Sequence, residues 1–211
     1  MKKIIYTFIF LLPILLFSCA GSTKDLVDKG NALYSEESYL EAFQYYKKAA
    51  DQGHVIAQFN LGFMYYKGYG VTQSYSEAIR WYKLAADQGN ILGQTMLGDM
   101  YETGKGVTQN YSEAVRWYKL AADQGYDSAQ SKIGFMYYKG EGVTQNYSEA
   151  AKWYKLAADQ GYDNAQSILG HMYMNGEGVT QSYSEAKKWF VLAADQGDLD
   201  AKKELERIQN K

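Results

Sequence analysis

Apolar and polar residues along this chain fall into helical stripes, and the stripes recur at a fixed interval. Ala57, Leu61, Met64 and Tyr65 share one face of a helix predicted over about 57–67. Ala78, Trp81, Leu84 and Ala85, at i, i+3, i+6 and i+7, give a second stripe on a helix predicted over about 75–87. The loop Gly68-Tyr69-Gly70-Val71-Thr72-Gln73 joins the two, so they are expected to pack face to face. Gly62 and Ala78 are small enough to allow close approach, and Trp81 fills the space between neighbouring units. The second helix has clear boundaries. Ser74, Asn110, Asn146 and Ser182 are N-caps, and Glu77, Glu113, Glu149 and Glu185 three residues on predict a reciprocal capping box in each copy. Gly89 and its equivalents end the helix in the left-handed conformation.

Trp81, Trp117, Trp153 and Trp189 repeat every 36 residues, as do Tyr75, Tyr111, Tyr147 and Tyr183. Aligned as 54–89, 90–125, 126–161 and 162–197, the copies agree in 20 of 36 columns. That degree of identity marks one supersecondary unit used four times, each unable to bury its stripe alone. Proline occurs once, at Pro13, so the remainder of the chain can run as helices punctuated by glycine.

These residues resemble the Sel1-like repeat family, a relative of the tetratricopeptide repeat. Its pattern is Ala-x3-Leu-Gly-x2-Tyr-x2-Gly-x-Gly-Val, then Ala-x2-Trp-Tyr-x2-Ala-Ala. The first copy supplies Ala57, Leu61, Gly62, Tyr65, Gly68, Gly70, Val71, Ala78, Trp81, Tyr82, Ala85 and Ala86. Departures are Gly93 for the first alanine in the second copy and Phe190 for a tyrosine in the fourth. The resemblance implies an all-α protein, a right-handed α-solenoid of helix-turn-helix repeats. Residues 24–53 form a shorter unit, in which Gly30 and Ala42 are separated by 12 residues where Gly62 and Ala78 are separated by 16, so it looks like a tetratricopeptide repeat without the loop insert. Residues 198–211 read as a capping helix with a charged outer face. About eleven helices result.

The N-terminus reads as an address. Lys2 and Lys3 precede an apolar run, Ile4 to Phe17, that is shorter than the roughly 20 residues of a bilayer span. Leu16-Phe17-Ser18-Cys19 resembles the lipobox of bacterial lipoproteins. The resemblance implies a signal peptide over 1–18, diacylation of Cys19, and a lipidated tether over 19–23. Ala20 rather than Asp after the cysteine resembles lipoproteins sorted to the outer membrane, facing the periplasm. Secretion and lipid anchoring in the envelope are therefore expected.

Composition narrows the chemistry. The 211 residues are 46% hydrophobic with net charge −2, which becomes −4 once Lys2 and Lys3 are removed, so no basic excess exists for nucleic acid. One cysteine excludes a disulfide scaffold. His54 and His171 occupy different columns and are expected at the surface, without metal spacing. Ser184-Glu185-Ala186-Lys187 spells the Ser-x-x-Lys of penicillin-recognising enzymes, but no Lys-Thr-Gly or Ser-Asp-Asn accompanies it. Secreted Sel1-like proteins described as β-lactamases carry paired cysteines in each repeat, and this chain has none of those pairs. Gly68-x-Gly70 lacks the preceding strand and the lysine of a phosphate loop. No catalytic residue, metal or cofactor is expected.

The columns that change between copies carry the functional signal. In the first helix of each unit these are Ile56, Phe59, Asn60, Phe63, Tyr66 and Lys67, most of them on one face. In the tetratricopeptide superhelix that face lines the concave groove. Carried over, the groove presents Phe59, Phe63, Tyr66 and Lys67, then Asp99 and Glu102, then Phe135, Tyr138 and Lys139, then His171 and Met174. Exposed aromatics are typical binding anchors. The expected function is a non-enzymatic, lipid-anchored scaffold that binds a peptide or protein in this groove. The resemblance also admits an immunity-type lipoprotein that neutralises a toxic effector, and tyrosine-lined grooves admit a peptidoglycan or glycan ligand.

Overall fold

The computed structural model describes residues 22–209. All the helices predicted above are present in that span: α1 (Thr23–Ser35), α2 (Tyr39–Asp51), α3 (Val55–Lys67), α4 (Tyr75–Asp87), α5 (Ile91–Thr103), α6 (Tyr111–Asp123), α7 (Asp127–Lys139), α8 (Tyr147–Asp159), α9 (Asp163–Asn175), α10 (Tyr183–Asp195) and α11 (Leu199–Gln209). Each packs on its neighbours in the chain, so helix pairs stack as an α-solenoid. The signal segment and Cys19 lie outside the described residues.

Within each unit the two helices meet at a ring seated on a glycine. Tyr46, Tyr82, Tyr118, Tyr154 and Phe190 lie over Gly30, Gly62, Gly98, Gly134 and Gly170. A Cβ on Gly98 would stand 2.5 Å from the Tyr118 ring, so no other residue fits without moving the helices apart. This seat corrects the stripe expected on the second helix. Ala78, Trp81, Tyr82, Ala85 and Ala86 are buried, whereas Leu84, Leu120, Leu156 and Leu192 are 40–48% exposed. Tyr82 and Leu84 point about 200° apart on a helix, and the seat on Gly62 selects the tyrosine.

Neighbouring units are joined by tryptophan and glutamine. Trp117 packs with Ala78, Tyr82, Ala86, Leu97 and Met100, reaching back into the preceding unit, as Trp81 does toward Ala49 and Ala50. Gln88 Nε2 donates to Gln58 Oε1 at 2.7 Å, and Gln58 Nε2 reaches the Ala50 carbonyl across the unit boundary at 3.4 Å. The same chain of amides recurs from Gln124 to Gln94, Gln160 to Gln130 and Gln196 to Gln166. Buried amides satisfied in this way specify one register of stacking.

Helix caps depart from expectation in one respect. Ser74, Asn110, Asn146 and Ser182 accept from the backbone N–H of the glutamate three residues on, but the reciprocal half of the box is replaced. The backbone N–H of Ser74 donates instead to the Tyr65 carbonyl at 3.0 Å, and that of Asn110 to Tyr101 at 2.9 Å. Glu77 is thereby free to pair with Arg80 at 3.0 Å. A complete box closes α1, between Ser22 and Asp25. In the loops, Gln73 Nε2 caps the Tyr66 carbonyl at 2.8 Å. Gly70 is left-handed and lies where a Cβ would meet the Tyr39 carbonyl oxygen at 2.3 Å, so the loop leans on the unit before it. α11 buries Ala201 and packs Leu205 and Ile208 on Phe190 and Ala193.

Two substitutions test this account of the core. Trp117→Ala is expected to cost about 3–5 kcal/mol in urea unfolding, the range for a buried aromatic. Gly98→Ala is expected to cost about 1–3 kcal/mol by overpacking Tyr118, more than Gly125→Ala, where no atom lies within 4 Å and only the left-handed backbone resists.

Candidate ligand-binding groove

The varied residues of α3, α5, α7 and α9 form a wall on the face that flanks the seat glycines, and the inner face lies on the far side of each helix. Leu61, Met64, Leu97, Met100, Ile133, Met136, Leu169 and Met172 are buried on that inner face. The residues between them are left on the wall. Phe59, Phe63, Tyr66, Asp99, Glu102, Phe135, Tyr138, His171 and Met174 are half-buried, while Lys67 and Lys139 are exposed.

At the N-terminal end, Asn31, Tyr34, Tyr46, Phe59, Asn60 and Phe63 line a cavity of about 300 Å³. Phe59 leans on the Tyr82 ring with centroids 5.6 Å apart. Lys67 Nζ lies 5.8 Å from the centroids of both Phe63 and Tyr66, and Tyr66 takes a hydrogen bond from Lys105 Nζ at 3.0 Å. This bond raises the Lys105 ammonium above its ordinary range.

The centre of the wall is polar. The Tyr118 hydroxyl contacts both Asp99 Oδ1 and Glu102 Oε2, and Lys132 Nζ lies 2.9 Å from Glu102 Oε2 and 3.5 Å from Asp99 Oδ1. One phenol proton cannot serve two carboxylates at once, so Lys132 supplies the remaining positive partner. Burial pushes the Tyr118 hydroxyl far above the usual phenol value, and the two carboxylates push it further. Burial alone would lower Lys132, but its bond to Glu102 and the charge of Asp99 outweigh that and raise it.

Beyond the centre, two cavities of about 310 and 370 Å³ share Phe135, Tyr154 and Ile168 and so form one trough between α7, α8 and α9. The Tyr138 hydroxyl donates to Glu177 Oε2 at 2.9 Å, which raises its proton affinity. Lys139 Nζ lies 5.9 Å from the Phe135 centroid and 5.7 Å from that of Tyr138. His171 packs edge-on against Phe190, with centroids 4.9 Å apart. Met174 lines neither cavity and packs instead with the C-terminal cluster around Phe190 and Ala201.

Two wall residues are not carried into the groove by the sequence reading. Lys132 and Ile168 share the changing column headed by Asn60, and Lys132 is the only charged residue in it. Tyr154 escapes because its column reads as core. The histidines also differ from expectation. His54 and His171 are half-buried, and the Nδ1 of His54 is sealed at the start of α3 without a partner. Ser184 shares a hydrogen bond with Ser182 at 3.0 Å in the first turn of α10, where Ser184 and Lys187 are exposed. Among the described residues no group of three His, Cys, Asp or Glu side chains could hold a metal ion.

A family model described as Sel1 repeat matches residues 29–54, 55–90, 91–126, 127–162 and 163–198. A protective antigen present in uropathogenic Escherichia coli strains, displaying an SLR fold, superposes with a TM-score of 0.87 at 39% identity, over 89% of this chain and 41% of that one. A Sel1 repeat protein from Oxalobacter formigenes superposes with a TM-score of 0.79 at 36% identity, over 90% of this chain and 79% of that one. A Helicobacter pylori protein bearing a β-lactamase name is 40% identical over 50 residues, 24% of this chain and 17% of that protein. This chain therefore spans less than half the length of the antigen and under a fifth of the Helicobacter protein.

Lys132→Met tests the electrostatics of the centre. Without the ammonium, Asp99 and Glu102 lose the cation they share, and the variant is expected to lose about 0.5–1 kcal/mol at pH 7 after discounting for a half-exposed lysine. Urea midpoints of wild type and variant provide the check.

Proposed function

This chain belongs to the Sel1 repeat family, whose members are in general protein-interaction scaffolds, and we propose that it binds a peptide or protein segment along the wall of α3, α5, α7 and α9. The observation that carries this reading is the pairing of two aromatic clusters with uncommitted lysines. Lys67 and Lys139 lie along the rings of Phe63, Tyr66, Phe135 and Tyr138 and form no ion pair among the described residues. By contrast, Lys83, Lys119 and Lys155 on the second helices all pair with aspartates. Aromatic anchors flanked by available cations suit a segment with apolar and acidic side chains. Asp99, Glu102 and Lys132 between the clusters set its register.

The scaffold is held at the envelope by lipid on Cys19 after removal of residues 1–18, on an outer membrane and facing the periplasm. The basic start, the short apolar run and Leu16-Phe17-Ser18-Cys19 support this placement. Among the described residues no helix is long and apolar enough to cross a membrane, which leaves attachment to the N-terminal segment.

Site-specific photo-crosslinking in cells tests the groove. A benzophenone side chain in place of Phe63 or Phe135 is expected to capture a protease-sensitive partner, and one in place of Leu84 is not. Capture from Leu84 alone contradicts the groove reading, and a protease-resistant, glycosidase-sensitive adduct replaces peptide with glycan. Cys19→Ser is expected to move the protein from the membrane fraction to the soluble one, and continued attachment contradicts the lipid anchor.

A further inference from the structure

The five seated rings have different fates at their outer ends. The Tyr46 hydroxyl donates to Asn31 Oδ1 at 2.8 Å. That of Tyr118 is held by Asp99 and Glu102. Phe190 has no hydroxyl, and His171 packs against its edge. The Tyr82 hydroxyl is sealed from solvent and has no partner. Tyr154 is the remaining case. Phe135 and Tyr138 stand where Asp99 and Glu102 serve Tyr118, so this chain supplies its hydroxyl with no acceptor.

Tyr154 is 1% exposed, makes no hydrogen bond among the described residues, and lines both halves of the trough. Ser131, 8% exposed, lines the same trough, and its hydroxyl likewise makes no hydrogen bond among the described residues. Unlike the Tyr82 hydroxyl, neither of these is sealed, so each opens on the cavity, where water or a ligand is its available partner. Two hydroxyls that the chain leaves unpaired, beside the apolar faces of Phe135 and Ile168 and a polar rim that includes Glu102, Lys132 and Glu177, make a pocket able to take polar contacts from outside the chain. The walls at Phe135 and Ile168 accept a flat ring, and Tyr138 is already committed to Glu177.

We infer that the trough between α7, α8 and α9 is a side-chain subsite that takes a tyrosine of the bound segment, its ring between Phe135 and Ile168 and its hydroxyl on that of Tyr154. The inference rests on the groove reading above and narrows it to one side chain. A pocket built to pair a hydroxyl discriminates against the analogue that lacks it, because the buried partner is then left unsatisfied. Preference for tyrosine over phenylalanine follows, and so does a rank below both for aliphatic side chains.

N-acetyl-tyrosinamide, N-acetyl-phenylalaninamide, N-acetyl-leucinamide and N-acetylglucosamine are the probes, titrated into the full mature chain with the Met172 and Ile168 methyl groups observed by NMR. The tyrosine amide is expected to shift both methyls saturably and to bind about three- to tenfold more tightly than the phenylalanine amide. Tyr154→Phe is expected to fold, because Phe190 already occupies the equivalent seat on Gly170, and to abolish the preference. Tyr82→Phe, which removes a hydroxyl sealed away from the trough, is expected to retain it. Equal binding of the tyrosine and phenylalanine amides, a tighter leucine amide or sugar, or a preference that survives Tyr154→Phe overturns the assignment. If Phe135 still cross-links a peptide partner while no amide shifts the methyls, the groove reading stands and this subsite falls. If the amides bind but cross-links form from Leu84 alone, the subsite stands and the groove reading falls.

Discussion

The contact on which the rest depends is an aromatic ring lying directly on a glycine. Because Gly30, Gly62, Gly98, Gly134 and Gly170 have no Cβ, the first helix of each unit sits against the ring of the second at van der Waals distance. That contact fixes the roll of the first helix about its axis. Gly62 lies within about 40–60° of Phe59 and Tyr66 around the helix, so these residues flank the seated ring half-buried, while Leu61 and Met64 and their equivalents are buried on the far side. The groove is thus a consequence of the core, with its residues chosen by helix geometry before any ligand is considered.

The same contact links stability to recognition. The seated ring is long enough that its outer end reaches the back of the wall, so Tyr46, Tyr118 and Tyr154 bring a hydroxyl to it, whereas that of Tyr82 is sealed. At Tyr118 that hydroxyl organises Asp99, Glu102 and Lys132, and at Tyr154 it meets only cavity. Tryptophan and the glutamine chains stack one unit on the next in a single register, which holds wall residues two units apart at fixed separation. A wall held in this way is preorganised for the segment proposed to lie along it.

Much of this was legible in the sequence because the period is local and strict. Helix boundaries, N-caps, left-handed glycines and the role of tryptophan follow from spacing within one 36-residue unit. The exposed face of Leu84 was not legible, since Leu84 and Ala85 fit one helical stripe as well as Tyr82 and Ala85 fit another, and only the seat on Gly62 decides between them. The missing half of the capping box, the position of Lys132 and the open hydroxyl of Tyr154 depend on neighbours 9 to 33 residues away in sequence, such as the Tyr65 carbonyl for Ser74 and Asp99 for Lys132. The lipidation proposed at Cys19 rests on the sequence alone, because that residue lies outside the described residues.

The central claim is that repeated columns hold the solenoid and varied columns bind. The most direct measurement compares proteins captured from envelope extract by the wild-type mature chain, by a Phe63, Phe135 and Tyr138 triple alanine variant, and by a Leu84, Leu120 and Leu156 triple alanine variant, with the melting temperature of each recorded alongside. The account predicts that the groove variant keeps its fold and loses a client that the outer-face variant retains. Retention of every client by the groove variant, with loss only from the outer-face variant, would contradict it.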